Sequence, residues 1–504
     1  MSKDLPLLSK SRFLAGLQCP LRLWYQCYNR DLAAPVSPMQ QSLFDTGHKV
    51  GQMATQRYPG GILIEEDYMH HEAAIQSTLD AMKDSSVGAI FEAAYMEDGV
   101  RIRADILERL PARRWNLIEV KSSTKVKDEY LTDVAVQHHV LEMAGIDLER
   151  IYLMHIDREY VFEGGELDLV MFLVLEDLTD DAVELQGFVR ENLYDLKSML
   201  SLDTPPVVQP SRHCHQPHTC EFWEHCTRDA PENWIFELSG IRQERIEDLT
   251  ASGVATIDNI PASFPLTAIQ QRIRECVIES QEYIDPAFHH ALADVRFPVH
   301  FLDFETIMPA IPRYTGTRPY QTIPFQWSNH ILYSDGKIEH RDFLCNEDID
   351  PRMEFTQSLL DVLGKESTIF IYTTYEQRIL RELAEQLPQY AYDLNVLHRR
   401  FIDLCALIKS HYYHPAFHGS FSLKYVLPAF VPEMDYQNLA IQEGGMASME
   451  YLRMIDPKTP PEDKNEIRNN LLAYCSQDTL AMVKICELLL EKSKRAIPNK
   501  QTEH

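Results

Sequence analysis

The stretch from Gly99 to Ser123, GVRIRADILERLPARRWNLIEVKSS, constrains this chain most. Val100, Ile102, Ala104 and Ile106 alternate with Arg101, Arg103 and Asp105, the two-residue period of a half-buried strand. Pro111 and Ala112 supply a turn, and Leu117, Ile118 and Val120 mark a second, more buried strand. Strand residues two apart share a face, so Glu119 and Lys121 emerge together, with Asp105 in reach on the neighbouring strand. Two carboxylates and a lysine at a strand end suit a hard divalent cation held through oxygen. Such an ion lowers the pKa of water and offsets charge on a phosphate. For Glu-x-Lys alone the plainer alternative is an amphipathic hairpin with solvated charges, and Asp105 weighs against it.

At 504 residues the chain is too long for one ordinary core and predicts two or three domains. Apolar and charged fractions of 45% and 25% are those of a globular protein. No apolar run approaches bilayer length, and the first twenty residues lack the apolar core and cleavage site of a signal peptide. The expectation is a cytoplasmic protein with no membrane partner. A net charge of −28 argues against a protein that simply coats nucleic acid, which needs basic surface. It leaves room for a local basic groove and for carboxylates that await cations.

Of the ten cysteines, Cys27, Cys276, Cys345, Cys405, Cys475 and Cys486 sit mostly among apolar residues and read as core in a reducing compartment. Cys19 ends SRFLAGLQC, where Ser11 is placed to cap a helix. Cys214, Cys220 and Cys226 recur at six-residue steps in HCHQPHTCEFWEHC, a region made irregular by Pro205, Pro206, Pro210 and Pro217. Three cysteines so close point to metal or cluster ligation. His213, His215, His218 and His225 keep zinc open. An iron–sulfur cluster needs a fourth thiolate, for which Cys19 is the candidate.

In the C-terminal half, HFLDFET places Asp303 and Glu305 on one face of a short apolar strand. Such a pair repels itself and raises a pKa unless a cation sits between. Glu376 falls where the strand STIFIY runs into a helix, and Tyr474 and Asp478 lie four apart on one face of the last long helix. Four carboxylates could hold two divalent ions, with the tyrosine orienting water. Asp403, in RFIDLCALI, is a second candidate for the third acid. Between the halves, ELSGIRQERIEDLTASGVATIDNIP reads as two short helices about Ser252-Gly253, either a helix–hairpin–helix-like element that contacts phosphates or a plain linker. LVMFLVLEDL reads as a strand and LTDDAVELQGFVRENLYDLKSML as one helix.

These motifs carry two resemblances. D-x(13)-E-V-K resembles the PD-(D/E)xK nuclease motif in its RecB-like exonuclease branch. That resemblance implies roles for a histidine on an upstream helix, His48 in FDTGHKVGQMA, and for a glutamine on the following helix, Gln137 in YLTDVAVQHHVLEMAGI. Glu92 could add a carboxylate from the preceding strand, and Leu141 stands where the family often has a tyrosine. The branch also brackets its core with one early and three late cysteines, which implies a [4Fe–4S] cluster on Cys19, Cys214, Cys220 and Cys226. The C-terminal half resembles the tyrosine subclass of RNase H-like DEDD exonucleases. This implies Asp303, Glu305, Glu376 and Asp478 as Mg²⁺ or Mn²⁺ ligands, Tyr474 as the residue that orients water, and cleavage at 3′ ends. FHGSFSLKYVLPAF and EGGMASMEYL are similar to an uncharacterised bacterial RecB-like family that fuses the two domain types.

The combined expectation is an α/β chain. A PD-(D/E)xK restriction-endonuclease-like domain spans 1–230, a helical connector 231–290, and an RNase H-like domain with a mixed sheet 291–504. It would act as a metal-dependent nuclease on nucleic acid, DNA favoured over RNA, in repair or in defence against foreign DNA. The rivals are a nucleic-acid-binding or assembly protein with one degenerate site, and a structural zinc protein.

Overall fold

The computed structural model describes residues 5–496. The fold is mixed α/β and divides into two compact units. One comprises the chain up to Asp229 together with Pro309–Gln321; the other comprises Ala230–Met308 and the chain from Thr322 onward. The segment 231–290 thus groups with the second unit.

The first unit is built on a seven-stranded sheet of β1 (Leu8–Ser9), β2 (Ile62–Leu63), β3 (Ala89–Glu97), β4 (Val100–Arg109), β5 (Trp115–Lys121), β6 (Leu148–Ile156) and β7 (Leu173–Asp177). The strands run in the order β2-β3-β4-β5-β6-β7, with β1 added beside β4. Asp98 and Gly99, at φ 47° and 67°, form the two-residue turn between β3 and β4, a backbone that Asp-Gly adopts readily. Along β4 the apolar positions Val100, Ile102, Ala104 and Ile106 are all buried, as their alternation predicts.

The first α-helices of this unit are α1 (Lys10–Gln18), α2 (Pro20–Tyr28), α3 (Pro38–Thr55), α4 (His71–Lys83) and α5 (Asp128–Met143). α3 starts on a capping box between Ser37 and Gln40, with Pro38 at its first position. α5 is buried over much of its surface; Val134, Val136, Val140 and Leu141 join Phe13, Trp24, Ile102 and Leu153 in the core.

Three local expectations are corrected. Ser9, not Ser11, caps α1, accepting from Arg12 N. LVMFLVLEDL begins as a helical turn, Leu169–Phe172, because Asp168 caps it, and only Leu173–Asp177 is strand. The single helix expected after it is two, Thr179–Glu184 and Gln186–Leu200, broken at Leu185.

The first α-helix of the second unit is Gln243–Ala251, which ends at Ser252, followed by Gly253 at φ 76°. The expected second helix is only a 3-10 turn, Ile257–Asn259, and the next full helix is Ala268–Glu279. Its strands are β8 (Tyr283–Ile284), β9 (Val299–Ile307), β10 (Ile323–Leu332), β11 (Ile338–Leu344), β12 (Ile369–Ile371), β13 (Phe401–Asp403) and β14 (Tyr412–Tyr413). Five form a mixed sheet in the order β11-β10-β9-β12-β13, antiparallel on one side of β9 and parallel on the other; β8 and β14 pair with each other. The helices that position the site are α6 (Tyr375–Gln386), α7 (Leu404–His411), α8 (Gly444–Ile455) and the long α9 (Pro461–Ala496), which packs on β9 and β10. No described helix of either unit is long and apolar enough to cross a membrane.

Candidate functional site

Two clusters of acids form, one in each unit, and both lie where paired strands part. In the first unit β5 pairs with β4 only from Ile118 opposite Ile106 to Trp115 opposite Arg109. Farther back along β4, Val100 and Arg101 pair with β1 instead. Asp105 and Glu119 are the residues just past the last β4–β5 pair. Asp105 Oδ2 accepts the N–H of Val120 at 2.7 Å, so a side chain replaces the next rung of the ladder.

Glu119 is 1% exposed and both its oxygens are engaged. Oε1 receives Lys121 Nζ at 2.6 Å and Lys10 Nζ at 2.7 Å, and Oε2 receives Gln137 Nε2 at 2.8 Å. Asp133, one turn before Gln137 on α5, takes Lys121 at 2.6 Å and Lys10 at 3.3 Å. Burial pushes the Glu119 carboxyl up, but the two ammonium groups outweigh burial and hold it well below the usual range. Burial opposes charge on the lysines as well, and the surrounding carboxylates keep both above their ordinary value. Asp105 is different: burial, then the Glu119 charge, pushes it up to about 7. The register of β3 on β4 sets Phe91 against Ile106 and Ala93 against Ala104, which leaves Glu92 across from Asp105. His48, exposed on α3, lies near enough to Glu92 for their charges to interact, and α3 packs on β5.

The fold thus gathers Asp105, Glu119, Lys121 and Gln137 and sets His48 and Glu92 beside them. Lys10 and Asp133 complete the cluster without having been read from the sequence. Asp133 had a signal, because it precedes Gln137 by four residues on one helix and shares its face. Lys10 had none.

In the second unit, β9 pairs with β12 only at His300 and Phe301. Asp303 and Glu305 project beyond that contact while staying paired to Ser328 and Gln326 of β10. Glu376, second residue of α6, is 2% exposed, and its Oε2 has no hydrogen-bond partner. Asp478 and Tyr474 come from α9. Tyr436 donates to Asp478 Oδ1, and the Tyr474 hydroxyl bonds to the same carboxylate. Cys475 Sγ lies 3.3 Å from Asp303 Oδ2, and one donor atom each from Asp303, Glu305 and Cys475 fall within 4.8 Å of one another.

Among the described residues no ammonium reaches into this cluster as Lys10 and Lys121 do in the first; Lys424 acts on Glu305 and Asp478 from an exposed position. Every carboxyl is therefore pushed up. Burial and Asp478 raise Asp303 well above its ordinary value; burial, Asp303, Asp478 and Glu376 do the same to Glu305. Burial, then Asp303, raises Glu376, and burial raises Asp478 to about 6 against the pull of Tyr436, Lys424 and Tyr474. The other candidate for third acid, Asp403, is already employed: its Oδ1 accepts from Ala406 N at 2.9 Å, capping α7, and from Thr373 N at 3.3 Å. Glu376 Oε2, by contrast, is buried with no partner. Tyr436 escaped the sequence reading; Cys475 was read there as a core thiol, and Lys424, within FHGSFSLKYVLPAF, was given no role of its own.

The four cysteines singled out from the sequence meet in the first unit. Cys19, Cys214, Cys220 and Cys226 line one pocket together with His213, and all four are free thiols. Cys19 lies close enough to each of the other three to raise its thiol electrostatically. Cys19 is both the last cap of α1 and the first of α2. Gln18 Nε2 ties this corner to the late segment through the carbonyls of His213 at 2.7 Å and His218 at 2.8 Å. Of the histidines that kept zinc open, His215 packs at a tilt against Trp223, His225 packs edge-on against Tyr25, and His218 faces Glu129 at 3.9 Å.

Residues 300–422, which hold Asp303, Glu305, Glu376 and Asp403, match a family model described as a domain of unknown function, DUF2779. No curated protein matches the chain. A solved structure titled "Crystal structure of SSO0001" is similar at 15% identity over 41% of this chain and 81% of that one, with a TM-score of 0.21.

Proposed function

We propose that this chain is a cytoplasmic, metal-dependent nuclease with two hydrolytic sites, a RecB-like PD-(D/E)xK site in the first unit and an RNase H-like DEDD site in the second. The observation that carries the reading is the second cluster. Asp303 and Glu305 from one strand, and Glu376 and Asp478 from two helices, crowd together with raised carboxyls and an orphaned Glu376 oxygen. A hard cation suits that donor set, and Mg²⁺ or Mn²⁺ bound there would activate water and offset charge on a phosphodiester. The protein's own part is to hold the acids apart from bulk water and to aim the Tyr474 hydroxyl at the same place. In the first unit, Asp105 and Glu119 would be the ligands, Lys121 would hold charge against the phosphate, and Gln137 fixes the Glu119 carboxylate. DNA is the favoured substrate, in repair or in defence against foreign DNA.

The four-thiol pocket fits a [4Fe–4S] cluster, which takes four cysteinyl sulfurs. Anaerobically purified protein should be brown and carry four irons per chain. Colourless protein with one zinc per chain would replace this part of the reading with a structural zinc site.

The deciding experiment digests end-labelled single- and double-stranded DNA and RNA with the wild type, Lys121→Ala, Asp303→Asn and the double variant. Each single variant should lose one activity, the Asp303→Asn loss being at 3′ ends, and the double variant should lose both. A double variant that cuts as the wild type does would end the nuclease reading.

A further inference from the structure

Lys10 lies outside every motif that pointed to the first cluster, yet its ammonium makes two of that cluster's contacts, 2.7 Å to Glu119 Oε1 and 3.3 Å to Asp133 Oδ1. Its placement is built in at both ends of α1. At the start, β1 lies along β4 at Val100 and Arg101, and Ser9 caps the helix, which makes Lys10 its first residue. At the finish, Gln18 bonds the His213 and His218 carbonyls and Cys19 enters the thiol pocket. The nine-residue helix, about 14 Å long, is pinned at its far end and delivers Lys10 into the opening between β4 and β5.

Glu119 Oε1 does not need this lysine to be satisfied. Lys121 already reaches it at 2.6 Å and is itself balanced by Asp133 Oδ2 at 2.6 Å. Oε2 is held by Gln137. Lys10 is therefore a second cation on an oxygen that one cation satisfies, and it has a path out, its side chain being 21% exposed.

We propose that Lys10 sets how tightly the first carboxylate cluster binds a divalent cation, by holding with its ammonium the Glu119 oxygen that the ion must take. The inference rests on reading this cluster as a metal-dependent nuclease site. An ammonium and a divalent ion a few ångströms apart in a low-dielectric site repel strongly, so each weakens the other's hold on Glu119. Lys10 acts here as a positioning residue. Removing its charge should strengthen metal binding, the reverse of what loss of a merely structural contact does.

The test uses the full chain carrying Asp303→Asn, which disables the second cluster, alone and combined with Lys10→Gln, Lys10→Met or Lys10→Arg. Mn²⁺ binding is measured by calorimetry, alongside the Mn²⁺ concentration that gives half-maximal cleavage of labelled DNA. Lys10→Gln and Lys10→Met should each bind Mn²⁺ about tenfold or more tighter, as expected when a like charge at this range is removed. Their half-maximal concentration should fall by the same factor, and Lys10→Arg should stay with the parent. Should one neutral variant fail to fold, the other carries the test. Unchanged or weaker Mn²⁺ binding in the folded neutral variants overturns the inference. Asp105→Asn in the same background separates the two levels. If it abolishes Mn²⁺ binding and cleavage while neither neutral Lys10 variant tightens binding, the role of Lys10 falls and the nuclease site stands. If Asp105→Asn and Lys121→Ala both leave binding and cleavage unchanged, the nuclease reading of this site falls, and the inference with it.

Discussion

The two acid clusters share one construction and have opposite electrostatics. Each sits just past the last rung between two strands, where backbone groups stop pairing and carboxylates converge. In the first, Lys10 and Lys121 neutralise Glu119 and Asp133, and Glu119 is held far below the ordinary carboxylate range. In the second, Lys424 acts from an exposed position and all four acids are pushed up. If both clusters take cations, as proposed, the difference teaches that a fold can assemble a cation site in two ways. It can supply its own cations and make a metal compete for entry, or leave the acids uncompensated and make the metal part of the site's stability.

The sharpest way to break that contrast is to remove one charge from each cluster without metal present. Glu119→Gln leaves two part-buried ammonium groups to Asp133 and Asp105, and losing one partner of a fully buried pair costs about 3–5 kcal/mol, an upper bound here. Its chemical midpoint should fall accordingly. Asp303→Asn removes repulsion instead, and in chelator should unfold no earlier than the wild type. If the two substitutions destabilise equally, the second cluster is compensated after all. Lys121→Ala comes next. In an Asp303→Asn background it should lower the remaining cleavage about 100-fold or more, as expected for a group that acts on developing charge, measured as the single-turnover rate on end-labelled DNA.

The contrast also has a pH signature. Glu119, held below an unfolded value near 4.3, contributes stability that is present above that value and lost as pH falls through its depressed folded value. Asp105 at about 7 and Asp478 at about 6 work the other way. Their contribution is fully present below the unfolded value near 3.9 and is lost as pH rises through 6 and 7. In chelator the melting temperature should therefore decline between about pH 4 and pH 7, and saturating Mn²⁺ should remove much of that decline by stabilising the ionised acids. A melting temperature independent of pH across this window, with and without Mn²⁺, would mean that the raised carboxyls are not felt by the fold.

How much of the fold and of the two clusters is legible in the sequence depends on how each feature is encoded. The β4–β5 pair, β9 and the junction at Glu376 are readable because strand alternation and a strand-to-helix switch are local patterns. The cysteine quartet is readable because thiols are rare and their spacing stands out. Lys10 is not, because its contact with Glu119 spans 109 residues and nothing at SKSRFLAG marks a lysine bound for a carboxylate. Tyr436 reaches Asp478 across 42 residues from a segment, VPEMDYQNLA, with no periodicity. The second helix expected after Ser252-Gly253 shrinks to one 3-10 turn because ATIDNIPASFP offers too few helix-forming residues before Pro261 and Pro265.

The smallest expected effect probes the one carboxylate in the second cluster that has phenolic partners. Asp478 receives both Tyr436 and Tyr474, whose rings meet edge-on at 6.2 Å. The two hydroxyls lower its pKa against burial, so it is the least raised of the four acids. Asp478, Glu305 and Asp303 all act on Tyr474, so its hydroxyl faces the charges of the cluster. The two should therefore separate. Tyr436→Phe removes a bond that favours the ionised carboxylate, so Mn²⁺ binding should weaken at pH 6 and recover at pH 8, where Asp478 is ionised without help. Tyr474→Phe should leave Mn²⁺ affinity nearly unchanged and slow 3′-end cleavage about tenfold, the cost of one hydrogen bond of about 1.4 kcal/mol. Calorimetry at the two pH values and single-turnover rates in a Lys121→Ala background would read both effects. If Tyr474→Phe weakens metal binding and leaves the rate at saturating Mn²⁺ intact, its phenol serves only to hold Asp478, and the second site lacks the water-orienting group that its tyrosine was assigned.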